Sequence, residues 1–369
     1  MRRGKWFAGC VASLLTALCL LPCSAAAVDV TEGRADGLTD GLDAVVRSYS
    51  RNCAVQLQTY DGDTIYSHNP ELILSGASVI KLPYAVYACG QIEEGVHTLD
   101  ETMTYTKEWY HGGSGIIRKN GYGKVYTIRQ LLDYSLRYSD NVAYDMLVEL
   151  FGIDGFNETI AAWGYDVSIG TPSPRFPGLY ADFVTDSMRR MQEHCHDSES
   201  WEVCWTALLE SEDIIVRDYY PEETVLAVKY GEVSSVHHEV CYVDGEIPYI
   251  LTIMTATAYD NPDEAFFGKI VDQVTQLLPA YAETAPDPGD VDYSRSVNAS
   301  DASRVLIAAA KFGADGELGL SGRQQIAGDV NRDGEVNASD AALILQYAAV
   351  SGAGSEIAAA DYFGLVEDE

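Results

Sequence analysis

The chain has 369 residues, with 24 Lys and Arg against 56 Asp and Glu, and a formal net charge of −32. So negative a surface repels phosphate backbones and anionic lipids, which argues against a nucleic-acid-binding protein and against adhesion to a membrane through charge. The length exceeds that of one average domain, so we expect two.

The first 27 residues have the layout of a secretory signal. Basic residues lie within the first five positions, an apolar stretch follows from Trp6 to Leu21, and small residues occupy 24–27. This pattern predicts a signal peptide over 1–27 and an exported mature protein. A lipid-modified Cys23 is an alternative, although the preceding Pro22 fits such a site badly. No second apolar run is long enough to cross a bilayer, so we expect no membrane contact after cleavage.

Five cysteines follow that segment, and an odd number leaves at least one free thiol or an intermolecular bridge. The five are Cys53, Cys89, Cys195, Cys204 and Cys241. Cys195 and Cys204 are near enough in sequence to close a short loop. Together with His194 and His196 they are alternatively zinc ligands, although the spacing matches no usual pattern.

The predicted elements follow a strand–helix–strand order along the chain. A helix over 38–49 precedes strands at 54–59 and 64–67, which the Asp61-Gly62 turn joins as a hairpin. A helix should begin near Ser78, and helical periodicity dominates from 99 to 216. Strands return at 224–230, 237–243 and 249–255, before a helix over 262–278. Strands at both ends imply one sheet whose halves are distant in sequence. The Ser78 helix would lie at the boundary between this sheet and the helical part, where a cleft commonly forms.

Three short strings carry the functional argument: Ser78-Val79-Ile80-Lys81, Ser139-Asp140-Asn141 and Lys229-Tyr230-Gly231. The first places a hydroxyl and an amine one helical turn apart, so the amine can take the hydroxyl proton. The second adds a hydroxyl for proton relay and an amide for holding a substrate amide. The third puts a cation and a strand edge where an acyl substrate with a carboxylate can lie. The three together indicate a serine acyl-transfer site.

These strings, in this order, resemble the S-x-x-K, S-D-N and K-T-G motifs of class A β-lactamases and penicillin-binding proteins. The segments 74–85, 113–117 and 138–143 add to the resemblance, which covers about residues 35 to 280. It implies an α/β (α+β) fold of the β-lactamase/transpeptidase-like kind over 35–282: an antiparallel sheet flanked by helices, with a helical subdomain.

The resemblance also implies a role for each motif residue. Ser78 would attack a strained or activated carbonyl, and Lys81 would take its proton. Ser139 and Lys229 would pass the proton onward and hold a substrate carboxylate. No cofactor is implied for this domain.

Four further positions are implied to bind substrate. Asn141 would position the substrate amide, and the backbone N–H groups of Ser78 and Glu232 would form the oxyanion hole. Tyr230 and Gly231 belong to the third motif, where Tyr230 departs from the small hydroxylated residue that is usual in the family.

A second departure is an absence in the sequence. Between Asn141 and Lys229 there is no Glu-x-x-Leu-Asn string, the family's usual source of the carboxylate that activates water for deacylation. The segment 171–177 occupies that stretch instead, and Asp182 is the nearest acidic substitute. Acylation should therefore be easier than deacylation. This favours a D,D-peptidase-like or esterase-like hydrolase over an efficient β-lactamase. The candidate substrates are β-lactams, D-alanyl peptides and esters.

Two other functions stay open. A catalytically weak or inactive binding module of the same fold is the main alternative, although such a module would not need Ser78 and Lys81 together. A carbohydrate-active enzyme is the other, and no paired-carboxylate pattern supports it.

Residues 283–289 contain two prolines and are predicted to be a linker. Beyond them the chain repeats itself: a shift of 39 residues aligns 289–302 with 328–341, with nine of fourteen positions identical. The second copy places oxygen-bearing residues at loop positions suited to calcium, with Gly334 for the sharp turn. Its predicted ligands are Asp329, Asn331, Asp333, Glu335, Asn337 and Asp340.

The first copy is a poorer version of the same loop, with Arg295 where the second has glycine, so we predict weaker calcium binding there. Its predicted ligands are Asp290, Asp292, Ser294, Ser296, Asn298 and Asp301.

Two such loops, each leading into a helix with an apolar stripe, resemble the dockerin modules of cellulosomal proteins. The resemblance implies an all-α paired calcium-loop domain over 290–352, two structural Ca²⁺ ions, and a cohesin domain of a scaffold protein as partner. It also implies a secreted, cellulosome-associated protein on a bacterial surface.

Overall fold

A computed structural model of the chain describes residues 37–170, 175–257, 263–294, 296–316 and 318–365. The predicted signal segment 1–27 lies outside them. The strands are β1 Cys53–Thr59, β2 Thr64–His68, β3 Leu74–Ser75, β4 Thr102–Thr104, β5 Val125–Thr127, β6 Gly178–Leu179, β7 Leu226–Val233, β8 Val236–Val243 and β9 Tyr249–Thr255. The α-helices are α1 Asp40–Ser48, α2 Lys81–Glu93, α3 Ile128–Arg137, α4 Asn141–Phe151, α5 Asp154–Ala162, α6 Ala181–Glu193, α7 Glu199–Leu209, α8 Glu264–Glu283, α9 Ala299–Asp315, α10 Gly322–Gly328, α11 Ala338–Gly352 and α12 Ala359–Tyr362.

The five long strands form one antiparallel sheet in the order β2-β1-β9-β8-β7. The N-terminal strand β1 pairs along its whole length with β9, from Cys53 opposite Thr255 to Thr59 opposite Tyr249. The turn between β1 and β2 contains Gly62 at φ +106°, a conformation that glycine adopts without a steric penalty. The prediction of a single sheet assembled from both ends of the domain is confirmed.

Alternate residues of the sheet belong to two different cores, because successive side chains of a strand point to opposite faces. Val228 and Leu251 pack with α1 and α8 on one face. Ala227 and Ile250 pack with the helical part, including α2, α6 and α7, on the other. Covering on both faces explains why these strands have continuous apolar runs rather than an alternating pattern.

Two short strand pairs, β3 with β6 and β4 with β5, interrupt the helical middle. They were not predicted, since strands of two or three residues have no readable periodicity. The long helices α3 and α4 lie within the stretch 99–216, where helical periodicity was predicted to dominate. The mixed architecture of an antiparallel sheet flanked by helices, followed by an all-α C-terminal region, is confirmed.

Helix α8 is longer than predicted, since it continues past residue 278 through Pro279 to Glu283. Its last turn is held by Tyr281, whose hydroxyl donates to Asp63 Oδ2 at 2.6 Å. The guanidinium of Arg323, from α10, lies 4.3 Å from the centroid of the Tyr281 ring. These tertiary contacts stabilise a turn that proline alone would disfavour.

The C-terminal region has its own small core, which includes Val291, Val305, Val330 and Ile344. It contacts the β1–β2 turn, where the side chain of Asp61 accepts hydrogen bonds from the hydroxyl groups of Tyr293, at 3.3 Å, and Ser321. Over the ranges described above, no helix combines the length and apolar character needed to cross a membrane. The boundaries 35–282, 283–289 and 290–352 stay predictions.

Candidate active site

Ser78 lies in a 3₁₀ helix, Ala77–Ile80, that leads directly into α2. Ala77, just before it, has φ +44°, a left-handed conformation that is unfavourable for alanine. Backbone strain of this kind concentrates at functional sites. Ser78 is 8% exposed and lines a cleft of about 580 Å³.

Lys81, the first residue of α2, is 1% exposed and lies beside the Ser78 hydroxyl. Its Nζ is 2.9 Å from Ser78 Oγ, 2.6 Å from the Ser139 carbonyl oxygen, 3.2 Å from Ser139 Oγ and 2.7 Å from Asn141 Oδ1. Burial lowers the pKa of Lys81 to about 7, against the opposing charges of Asp140 and Asp145. Near neutral pH a substantial fraction of Lys81 is therefore an uncharged amine that can accept the Ser78 proton.

Ser139 and Lys229 continue this chain of polar groups. Ser139 is fully buried, has φ +49°, and its hydroxyl lies 3.1 Å from Lys229 Nζ. Burial and the nearby charge of Lys81 lower the pKa of Lys229 well below its usual value. The structure thus brings the four predicted catalytic residues into one connected path from Ser78 to Lys229.

Two of the four predicted substrate-binding residues, Asn141 and Glu232, line the cleft with Ser78. Asn141 is held in place because its Nδ2 donates to the Gly112 carbonyl at 2.8 Å while its Oδ1 accepts from Lys81. Gly231 lies directly against the nucleophile, and a Cβ there would be 2.9 Å from the Ser78 backbone nitrogen. Only a glycine at this position lets β7 run so close to the 3₁₀ helix.

Tyr230 is 4% exposed, and its backbone carbonyl accepts from Lys229 Nζ at 2.6 Å. Its hydroxyl interacts with Ser114 and Ser139, and burial raises the pKa of Tyr230 to about 12. The phenol therefore keeps its proton at neutral pH. It supplies a hydroxyl beside Ser139 where the usual third motif has a smaller hydroxylated side chain.

Asp140 is a site residue that the sequence argument passed over. Its fully buried carboxylate accepts four backbone N–H groups at 2.6 to 3.0 Å. The donors are Ile116, Ile117, Val142 and Ala143. The sequence could have indicated part of this role, because an aspartate directly before a helix is a common N-cap residue. The hydrogen bonds from Ile116 and Ile117 could not be predicted, since they join segments that are distant in sequence. Asp140 fixes the Ser139 motif to the loop that forms the cleft wall.

His111, Asp145 and Arg175 form a second unpredicted cluster. His111 Nδ1 lies 2.6 Å from Asp145 Oδ2, and Arg175 Nη1 lies 3.1 Å from Asp145 Oδ1. His111 and Phe176 line the same cleft as Ser78. No sequence signal connects residues 34 positions apart.

His237 and its carboxylate neighbours support β7 from within the sheet. Glu239, fully buried, accepts the backbone N–H groups of Ile215 and Val216, and His237 Nε2 lies 3.2 Å from Glu239 Oε1. Burial opposes a charge on His237, but Glu232 and Glu239 outweigh it and raise the pKa of His237 to about 9. The protonated imidazole holds the Glu232 side chain 3.5 Å away at the cleft edge.

Asp182, the acidic substitute suggested by the sequence, lies at the start of α6 beside Gln56 and Glu71. Burial raises its pKa. Among the residues the structure describes, it does not line the cleft of Ser78, so it is not placed to activate water there.

The five described cysteines are buried free thiols. Cys204 Sγ lies 3.5 Å from Cys89 Sγ on α2, so its neighbour is not the Cys195 that the sequence suggested. The zinc alternative finds no support, because within the described part of the chain the only group of three or more His, Cys, Asp or Glu ligand atoms within 4.8 Å of one another consists of aspartates.

That cluster lies in the first repeat, where ligand atoms of Asp290, Asp292 and Asp301 are within 4.8 Å of one another. Carboxylate oxygens at this spacing fit a calcium ion. The Asp301 carboxylate also accepts the backbone N–H of Asn298 at 2.8 Å, which closes the loop onto α9. The other predicted ligands of the loop are Ser294, Ser296 and Asn298.

The second repeat folds the same way. Arg332, at φ +57°, is the 39-residue counterpart of Tyr293, also at φ +57°. Asp329 accepts from the Gly334 N–H at 2.9 Å, and Asp340 accepts from Asn337 at 3.0 Å. Its side chains offer oxygen donors, the atom type that calcium binds, and Asn331, Asp333 and Glu335 complete the predicted ligands.

The comparisons with known proteins agree with this geometry. Residues 37–278 match the model of the beta-lactamase enzyme family, and residues 288–347 and 327–362 match the dockerin type I domain. No curated protein matched the chain.

Solved structures of the same fold include a β-lactamase from Sphaerobacter thermophilus DSM 20745, with 20% identity, a TM-score of 0.59, and 66% of this chain and 97% of that one covered. A β-lactamase from Chitinophaga pinensis DSM 2588 has 18% identity, a TM-score of 0.58, and coverage of 67% and 99%. A PBP-A mutant in an acyl-enzyme complex with penicillin-G has 18% identity, a TM-score of 0.60, and coverage of 66% and 96%. At such identities the likeness shows the fold.

Proposed function

The chain belongs to the beta-lactamase enzyme family and carries a dockerin type I domain, and on that premise we propose that it is a secreted serine hydrolase that works through an acyl-enzyme on Ser78. The observation that carries this proposal is the buried Lys81 amine 2.9 Å from the Ser78 hydroxyl. An amine with a pKa of about 7 beside an alcohol is the arrangement that activates a weak nucleophile.

In this proposal Lys81 takes the proton as Ser78 Oγ attacks the carbonyl. The proton then passes through the Ser139 hydroxyl, which lies between Lys81 and Lys229, to the leaving group. The backbone N–H groups of Ser78 and Glu232 stabilise the oxyanion, and Asn141 positions the substrate amide. One donor of this kind is worth on the order of 10²-fold in rate.

The substrate class follows from the cleft and from the missing deacylation motif. An acyl group with a carboxylate can lie along β7 near Lys229, as a β-lactam or a D-alanyl peptide or ester would. PBP-A, which has the same fold, forms an acyl-enzyme with penicillin-G as a mutant. We expect fast acylation and slow release here, in the manner of a D,D-peptidase or esterase.

The dockerin domain would place this activity on a scaffold. Its two loops, each holding one Ca²⁺, would present the module to a cohesin domain, which makes the enzyme cellulosome-associated outside the cell. The predicted signal over 1–27 and the acidic surface agree with export.

A substrate panel tests the proposal. The full chain and its Ser78→Ala variant are incubated with a fluorescent penicillin, a D-alanyl peptide and p-nitrophenyl acetate. Labelling or turnover that disappears in Ser78→Ala is the expected result. If the wild type acts on none of the three, or if the variant acts equally well, the alternative of a catalytically inactive binding module is favoured.

A further inference from the structure

The cleft beside Ser78 contains a histidine–carboxylate pair without an assigned role. We propose that His111, oriented by Asp145, is the general base that activates water to hydrolyse the Ser78 acyl-enzyme. This inference rests on the proposed function. It names the base for the slow release expected in the absence of the Glu-x-x-Leu-Asn carboxylate between Asn141 and Lys229.

The position of His111 is the first argument. The imidazole lines the same cleft as Ser78 and is 37% exposed. Its Nδ1 lies 2.6 Å from Asp145 Oδ2, and a carboxylate only accepts, so in the neutral imidazole Nδ1 is the donor and Nε2 has the lone pair. Within the described ranges no residue forms a hydrogen bond with Nε2. A basic nitrogen is thus available to a water molecule in the cleft.

The rigidity of the pair is the second argument. Asp145 lies on α4, one turn after Asn141, and its other oxygen accepts from Arg175 Nη1 at 3.1 Å. Arg175 also donates to the Asp145 backbone carbonyl at 3.1 Å. Since both carboxylate oxygens are engaged, Asp145 does not activate water itself. It is a positioning residue that fixes the imidazole tautomer and orientation.

The different surroundings of His111 and Lys81 are the third argument. The ring of Phe176 lies with its centroid 5.9 Å from the His111 ring centroid and 5.8 Å from Lys81 Nζ. Phe176 therefore lies near both basic groups, of which His111 lines the cleft and Lys81 is buried against Ser78. Lys81, hydrogen-bonded to Ser78, suits acylation, and His111 suits the water that attacks afterwards.

Glu232 is the competing base, since its side chain also lines the cleft. Its carboxylate lies 3.5 Å from His237 Nδ1, and the two carboxylates beside His237 raise its pKa to about 9. At neutral pH the Glu232 carboxylate is therefore engaged with the protonated His237 imidazole. His111 is the better-placed acceptor.

The chemical step balances without a further reactant. Water attacks the acyl carbonyl while His111 Nε2 takes one of its protons, and a new C–O bond forms. As the tetrahedral intermediate collapses, the bond between the acyl carbon and Ser78 Oγ breaks. The proton on His111 passes to Ser78 Oγ, directly or through Lys81, so the products are a free acid and the original serine.

Adduct lifetimes measure the proposal. The full chain is acylated with penicillin G, free penicillin is removed, and intact mass follows first the formation and then the loss of the adduct. In His111→Ala and His111→Gln we expect formation within about 3-fold of wild type and loss slowed on the order of 10²-fold, the usual contribution of a general base. Imidazole added to His111→Gly should shorten the lifetime again.

The matched control is His194→Ala, which removes a surface histidine whose Nδ1 lies 2.7 Å from Asp197 Oδ2, outside the cleft. Its adduct should behave as in wild type. Asp145→Asn should slow adduct loss on the order of 10-fold or more. The double variant Asp145→Asn/His111→Ala should lose its adduct no more slowly than His111→Ala alone, because both changes disable the same base.

The outcomes separate the two proposals. If no adduct forms even in wild type and His194→Ala, the proposed function fails, and this inference falls with it. If adducts form but have equal lifetimes in wild type and His111→Ala, only the assignment of His111 is overturned. The same holds if Glu232→Gln lengthens the lifetime instead, or if His111→Ala slows formation and loss equally.

Discussion

The backbone of Gly231 lies so close to Ser78 that there is no room for a side chain at position 231. A Cβ built on Gly231 would lie 2.9 Å from the Ser78 nitrogen. The same Cβ would lie 2.7 Å from the Val79 nitrogen. Both atoms belong to backbone, which cannot swing aside as a flexible side chain does. Edge strand β7 and the 3₁₀ helix of the nucleophile are therefore positioned by this contact.

Gly231→Ala should slow acylation of Ser78 on the order of 10²-fold, because a displaced strand or nucleophile loses the reactive geometry. The overlap should also cost about 1–3 kcal/mol of stability. Penicillin acylation rates and urea unfolding measure the two effects. Gly245→Ala is the matched control, since a Cβ there meets nothing within 4 Å. Normal acylation by Gly231→Ala would contradict the assigned contact.

The rate of acylation should depend on pH through Lys81. Its pKa is about 7, so the amine is protonated and inactive as a base below that pH, and the rate should rise through about pH 7 and level off above it. Stopped-flow acylation between pH 5 and 9 measures this limb. A rate that stays flat across this range would show that Lys81 is not the base.

The burial of Lys81 also predicts how the free energy of unfolding changes with pH. Because the folded pKa of Lys81 lies below 10.5, the unfolded chain binds more protons between about pH 7 and 10.5, and the free energy of unfolding rises with pH there. Lys229 contributes in the same direction. Lys81→Met should therefore reduce this slope without abolishing it.

Asp140→Asn should destabilise the protein by about 3 kcal/mol, because the amide nitrogen would face backbone donors in place of a carboxylate that accepts four of them. Chemical denaturation measures the loss. Asp133→Asn, which breaks a partly exposed ion pair with Arg137, is the control and should cost about 1 kcal/mol or less. Equal losses in the two variants would contradict the role given to Asp140.

The fold could be predicted from the sequence to the extent that it depends on local patterns. The Asp61-Gly62 turn, the spacing of Ser78 and Lys81, and the repeated aspartate loops are all visible within a few residues. The extension of α8 past Pro279 was not, because it depends on Tyr281 reaching Asp63 and Arg323. The pairing of His111 with Asp145 depends on the folded chain in the same way.

Calcium binding should be biphasic. The second loop has Gly334 at its sharp turn, whereas the first has Arg295 at the equivalent position, so we expect the second site to bind more tightly. Calorimetric titration of the EDTA-treated full chain should show two affinities, with the tighter one lost in Asp329→Ala and the weaker in Asp290→Ala. Loss of the tighter site in Asp290→Ala would contradict this prediction, because the first loop would then be the tighter calcium site.

The central claim is that Ser78 forms a covalent acyl-enzyme with the help of Lys81. Intact mass spectrometry after incubation with penicillin G, followed by peptide mapping, tests it most directly. The account predicts one penicilloyl group on Ser78 in the wild type, none in Ser78→Ala, and a rate of formation reduced on the order of 10³-fold in Lys81→Ala. An unmodified wild type, or an adduct that persists in Ser78→Ala, would contradict it.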